Sequence, residues 1–172
     1  MTTSALKTSE FNVYYQRYIS KLSENTELRS GFELGMQNLV EFFKAIPNEK
    51  WDYRYAPGKW SIKEILQHLI DTERIFMYRC FRIARHDNTS LSGFDQNIYV
   101  DPSQAINKSI EALLSEFRSV RESSILLLES LRDEDLCFVG RADKKALSSR
   151  AAAFTVIGHE IWHMDIIKER YL

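Results

Sequence analysis

The chain has 172 residues, 44% apolar and 27% charged, with 23 basic against 24 acidic side chains and a formal charge of −1. This is the make-up of one globular domain with room for a sizeable core, and the lack of basic excess argues against nucleic acid as a partner. The start, Met1 to Lys7, has no apolar signal core and no later run could span a bilayer, so a cytoplasmic protein with no membrane partner is expected.

Glycine (6) and proline (3) are scarce, and helical periodicity dominates. Residues 1–25 read as an N-terminal extension packing on the rest, with a short amphipathic piece from about Phe11 to Leu22. Leu28, Phe32, Met36, Leu39, Phe42 and Phe43 recur at helical spacing and predict a first long helix from about Glu27 to Ala45, ended by Pro47-Asn48-Glu49. The aromatic stretch Trp51 to Trp60, with its Pro57-Gly58 turn, reads as a structured loop. Ser61-Ile62-Lys63-Glu64 is a capping box, in which Ser61 and Glu64 satisfy free N–H groups reciprocally; it opens a second long helix reaching about Arg85. Ile62, Ile65, Leu66, Leu69, Phe76, Cys80 and Ile83 form the buried stripe of that helix. A third helix is expected from Asp101-Pro102-Ser103-Gln104, with Asp101 as cap and Pro102 at the first helical position, through Ile106 and Ile110 to Leu128. A fourth runs from Ser148 or Ser149 to the end.

Four long amphipathic helices with almost no strand signal predict one all-α domain over residues 1–172, a four-helix bundle. The connections between the first and second and the second and third helices, each about fifteen residues, are too long for a minimal bundle and are natural places for a lid or site wall. Cys80 and Cys137 form neither a metal-type nor a redox-type spacing, and Cys80 falls on the apolar side of its helix.

Only four histidines occur in the chain. His159 and His163, four residues apart, lie about 40° from each other around a helix and leave the same face. They share that face with Ala152, Thr155, Val156 and Ile166, so both imidazoles sit in a core-facing seam. Burying them costs free energy unless each is hydrogen-bonded or coordinated. Two readings stand open: a pair of satisfied core histidines, or two ligands of one ion. His68, at the border of the second helix's stripe, could supply a third nitrogen and leave a coordination position free, the arrangement of a reactive metal centre. Glu73 falls within the apolar stripe and needs a partner; it is either an orienter of an imidazole or half of a buried ion pair. His86, in the polar run Arg85 to Asn88, reads as a solvated helix-terminal side chain.

His159-Glu160-Ile161-Trp162-His163 also matches the H-E-x-x-H pattern of zinc proteases. The nine residues after His163 contain no histidine, Asp165 and Glu169 point away from the histidine face, and the strands that frame such sites are missing, so proteolysis is set aside.

The segments Ala56-Pro57-Gly58-Lys59-Trp60-Ser61 through His68-Leu69-Ile70-Asp71, Gly93-Phe94-Asp95-Gln96, and Gly158-His159-Glu160 through His163 to Arg170-Tyr171-Leu172 together resemble the DinB-like/YfiT superfamily. The resemblance covers the chain from about Leu28 onward and rests on ordered motifs that are each weak alone. It implies a four-helix bundle whose metal triad, one histidine on the second helix and an H-x-x-x-H pair on the fourth, falls on His68, His159 and His163. It further implies a divalent ion, zinc or nickel, and frequently a homodimer. Relatives include S-transferases that use bacillithiol, mycothiol-dependent isomerases and metal-dependent hydrolases.

An ion held by three neutral imidazoles keeps its full charge and acidifies whatever reaches its open position. A low-molecular-weight thiol there becomes a nucleophile towards an electrophilic substrate; water there serves hydrolysis. Both activities stay open, as does a non-enzymatic helical module that holds a structural ion. Glu160 is the first candidate for a general base, with pairing to a basic residue on another helix as the alternative. The stretch Leu91 to Val100 is expected to wall the pocket, with Asp95 either binding substrate, bonding a ligand histidine or capping a turn. Phe154, Ile157, Ile161 and Met164 make a second apolar face on the fourth helix. It must be covered either by the N-terminal piece or a loop, or by a second copy in a dimer.

Overall fold

Side-chain caps decide where the long helices begin. In a computed structural model, which describes every residue from Met1 to Leu172, the Ser61 hydroxyl accepts from the Glu64 N–H at 3.3 Å. The Glu64 carboxylate in turn accepts from the Ser61 N–H at 2.6 Å. This is the expected capping box, and α3 (Ile62–Ala84) follows from it. Glu27 caps α2 (Leu28–Lys44) through the Ser30 N–H, and Ser148 caps α7 (Ser149–Arg170) through the Ala151 N–H. Short pieces lie before and between the long helices: α1 (Gln16–Ile19), α4 (Val100–Ser103) and α6 (Asp133–Leu136), with several turns of 3-10 helix.

The third long helix departs from expectation. Asp101 does not start it: Val100–Ser103 is an isolated turn, and Gln104 adopts a left-handed φ of 52°, which ends that turn. The helix proper, α5 (Ile110–Ser130), begins after Ser109, whose hydroxyl accepts from the Ala112 N–H. A second correction concerns strands. Val139–Ala142 (β1) and Lys145–Ser148 (β2) pair antiparallel as a small hairpin. Its turn residues Asp143 and Lys144 both take positive φ, 50° and 62°, the geometry of a tight two-residue turn. The hairpin is tied to the loop after α3 by hydrogen bonds between Leu91 and the backbone of Arg141 and Asp143.

The four long helices form a ring in which α3 and α2 each neighbour both α5 and α7. Consecutive helices α2 and α3 therefore face one another across the bundle, as do α5 and α7, and the chain must cross an end of the bundle each time. This accounts for the long connection between α2 and α3. No helix is long and apolar enough to cross a membrane.

Two apolar cores fill the bundle. One gathers Phe32, Phe76, Leu128 and Phe154; the other gathers Leu39, Phe43, Leu66 and Phe117. Each such fully buried side chain contributes on the order of 2 kcal/mol. Between the cores lies a polar layer at whose centre Arg121, with no exposed surface, forms ion pairs to Glu73 and Glu160. Its Nε and Nη2 donate to the Glu73 carboxylate at 2.8 and 2.7 Å, and its Nη1 donates to the Phe32 carbonyl at 3.2 Å. One guanidinium on α5 thus reaches α2, α3 and α7. Glu73 is half of a buried ion pair, the second of its two sequence readings.

α7 is buried on almost every side over its first half, from Ser149 to Glu160. The N-terminal segment packs on α7 through α1. Gly158 makes this possible: a Cβ there would collide with the Tyr18 carbonyl oxygen. The segment is pinned further along by Glu10, which is buried and accepts from Arg150 Nε at 2.8 Å and from the Ser148 hydroxyl at 2.8 Å. Of the apolar face considered above as a dimer surface, Phe154 and Ile157 are buried within the chain, and Ile161 and Met164 stay partly exposed.

Replacing Arg121 by Met leaves two carboxylates buried without a counter-charge. The expected cost is about 3–5 kcal/mol of unfolding free energy, read from urea denaturation; a loss below about 1 kcal/mol would contradict the central place given to this residue.

Candidate metal centre

His68 on α3 and His159 and His163 on α7 meet in the polar layer. Each is buried, at 8%, 5% and 7% exposure. Their Nε2 atoms point at one another: His68 to His159 at 3.1 Å, and His163 to His159 at 3.0 Å. Ligands bound about 2.0–2.1 Å from a common tetrahedral ion stand about 3.3 Å apart, close to these two separations, and all three nitrogens lie within 4.8 Å of one another. Burial pushes the His68 pKa down to about 4. Burial, with the neighbouring rings, sets those of His159 and His163 well below the usual histidine value. At neutral pH all three are uncharged, and each has a lone pair to give.

The donor set fits a divalent ion for a further reason. One ring nitrogen of His159 faces two others, and three such atoms cannot all be satisfied by hydrogen bonding among themselves. A cation shared by the three lone pairs resolves that conflict. With Nε2 given to the ion, the proton sits on Nδ1; on His68 that atom lies 3.3 Å from the Thr72 hydroxyl, one helical turn along, which fixes the ring's orientation. His163 Nδ1 is buried without a partner. Each imidazole is also held by an aromatic neighbour: Trp60 against His68 at 4.8 Å, Tyr18 against His159 at 5.0 Å, and Trp162 against His163 at 4.8 Å between ring centroids.

Two sequence candidates go elsewhere. Glu160 follows His159 but turns into the bundle, where it pairs with Arg121 and lies against Gly35. A carboxylate so engaged is a bundle cross-link, and its geometry gives no support to a general-base role. Asp95 is exposed and accepts from the N–H and side-chain amide of Asn97, both at 2.9 Å. It caps a turn, the alternative noted for it, while its neighbour Gln96 faces the site. His86 is exposed, as expected, yet not merely solvated: its Nε2 lies 2.8 Å from Asp135 and its ring stacks on Phe138.

Two clefts converge on His159. One, of about 280 Å³, is walled by the Tyr55–Trp60 loop, Trp162 and Tyr171, and holds all three histidines in its lining. The other, of about 240 Å³, lies towards the hairpin and includes Arg79, Phe94 and Lys145. Tyr14, Tyr18 and Gln96 line both. The two long connections therefore do supply walls, as their lengths suggested. Tyr14, Tyr15 and Tyr18 were missed as site residues; their crowding ahead of a helix in a segment otherwise short of core positions was the available signal.

The model of the DinB superfamily matches residues 32–167, a span that includes all three histidines. Among solved structures, YfiT from Bacillus subtilis, described as "a probable metal-dependent hydrolase with an unusual four-helix bundle topology", superimposes with a TM-score of 0.74. The two share 14% sequence identity, over 95% of this chain and 89% of YfiT. A search of curated proteins finds no significant match.

The depressed histidine pKa values have a thermodynamic consequence. In the metal-free protein the unfolded chain takes up protons below the ordinary value of 6.5, whereas folded His68 does so only near about 4. The stability that these groups contribute is therefore whole above about pH 6.5 and is lost as pH falls towards 4. Urea unfolding between about pH 7 and 5 is expected to show a shallower decline for His163→Leu than for the wild type. Parallel declines would contradict the neutral, buried state of this imidazole.

Proposed function

This chain belongs to the DinB superfamily, and from that premise we propose that it is a divalent-metal-dependent enzyme that transfers a low-molecular-weight thiol to an electrophilic small molecule. The observation that carries the reading is the meeting of two separate clefts at His159. A reaction between two substrates needs two seats that share one reactive point. A hydrolase needs one seat and access for water.

His68, His159 and His163 would hold the ion, zinc or nickel. Three neutral ligands leave its charge uncompensated, so that, once bound, it lowers the pKa of a thiol or water in its open position. The protein's own sulfurs are unsuited to the nucleophilic role. Cys80 is fully buried, its thiol pushed up to about 12 by burial, and it contacts the Ser149 hydroxyl at 3.1 Å. Neither Cys80 nor Cys137 lines either cleft. The thiol thus comes from a cosubstrate. Tyr14, Tyr18 and Gln96, shared by the two clefts, would hold the reactants to either side of the shared histidine.

Hydrolysis is the second reading, favoured by the description of YfiT. The two are separated by assaying zinc- and nickel-loaded protein with low-molecular-weight thiols plus monochlorobimane or an epoxide, and in parallel with p-nitrophenyl acetate and no thiol. Thiol-dependent conjugation, reduced at least about 100-fold in His68→Ala, His159→Ala and His163→Ala along with metal content, is the expected result. Ester cleavage without thiol, and no conjugation above the His68→Ala background, would favour hydrolysis. Metal retained in all three variants would remove the triad itself.

A further inference from the structure

Of the buried arginines, two have carboxylate partners. Arg121 has Glu73 and Glu160, and Arg150 has Glu10. Arg79 on α3 is equally buried, at 3% exposure, yet it forms no ion pair. Its hydrogen bond runs from Nη2 to the Ser92 carbonyl at 2.8 Å, and the Tyr15 hydroxyl stands beside it. Otherwise it meets the rings of Phe76 and Phe94, whose centroids lie 5.1 and 5.5 Å from the guanidinium carbon. A guanidinium carries five N–H donors and a charge it cannot shed. Burying it among neutral groups alone is costly unless an anion completes the site.

The cleft that Arg79 lines is the one that shares His159 with the metal centre. Its other charged lining groups are Lys145 and Asp143. Two cations against one carboxylate leave it with a single positive charge, which suits a monoanion better than a phosphate dianion. The planar fork of an arginine matches a carboxylate through two parallel hydrogen bonds. Resting on the two-substrate reading above, we infer that this cleft seats a substrate carboxylate on Arg79, so that one of the two reactants is an organic acid whose reactive end reaches His159. Lys145, exposed at the cleft mouth, assists by attraction, and Arg79 acts as a binding and specificity residue.

The test uses cobalt-loaded protein and two probes, 3-mercaptopropionate and its methyl ester, which lacks the charge and adds one methyl group. Calorimetry reads affinity, and the sulfur-to-cobalt charge-transfer band reads whether sulfur reaches the ion. The acid is expected to bind at least about tenfold more tightly than the ester to the wild type. That preference should vanish in Arg79→Gln and persist in part in Arg79→Lys, with ester affinity unchanged throughout. Equal affinity of acid and ester in the wild type, a comparison that needs no variant to fold, would overturn the inference. So would a full preference surviving in a folded Arg79→Gln protein. An Arg79-dependent preference without any charge-transfer band would sustain the carboxylate seat and sink only the thiol reading on which the choice of probe rests.

Discussion

The guanidinium of Arg121 is the constraint on which the rest of the bundle depends. From α5 it reaches a carbonyl on α2 and carboxylates on α3 and α7, so no long helix can slide without breaking a charged contact. Taking such a group out of water is costly, and a pair of this kind adds little net stability over apolar packing. What it contributes is register. Glu73 is next to Thr72, which orients His68, and Glu160 is next to His159. The same network that aligns α3 with α7 therefore sets the imidazoles opposite one another. Close approach at this point also needs Gly35, where a Cβ would lie 3.0 Å from the guanidinium.

The ion pairs and the histidines share one layer between two apolar cores. This layer is where the bundle departs from a purely hydrophobic interior, and its two parts are satisfied differently. On the Phe32 side the charges are paired within the protein, two carboxylates sharing one guanidinium. On the N-terminal side the imidazoles remain neutral, share a hydrogen-bonding conflict and border two clefts. A layer so divided leaves one side permanently closed and the other dependent on something from outside to complete it.

Much of this was legible in the sequence because it is local. Helix starts at Ser61, Glu27 and Ser148 depend on caps within three residues, and the stripes of α2 and α3 depend on periodicity alone. The false start at Asp101-Pro102-Ser103-Gln104 shows the limit of that reasoning. A valid capping pattern was overridden when Gln104 turned left-handed and Ser109 supplied a better cap beside the continuous apolar run. The hairpin escaped notice because its strands have four residues each, and its Asp143-Lys144 turn lacks the glycine that usually marks such a bend. The histidine triad could be read from spacing and resemblance. The fate of Glu73 and Glu160 could not, since their common partner is 48 and 39 residues away in sequence and periodicity says nothing of which face meets which. Asp95 against Gln96 turned on one residue of loop direction, which no pattern encodes.

The site is assembled from two parts of the chain held together by separate means. The three imidazoles lie within residues 32–167, the span that the family model covers; Tyr14, Tyr15 and Tyr18 lie before it. Those tyrosines are placed by contacts of their own: the buried Glu10–Arg150 pair, the pairing of Phe11 with Leu147, and the passage of the Tyr18 backbone over Gly158. Tyr18 then packs its ring edge-on against His159 and forms part of the boundary between the two clefts. Coordination geometry is thus set inside the bundle by Arg121 and its carboxylates, whereas the shape of what can approach is set by a segment laid over it. Tyr18 is where the two meet, so a change there reaches His159 as well as the clefts, whereas Tyr14 and Tyr15 line the clefts without packing on an imidazole.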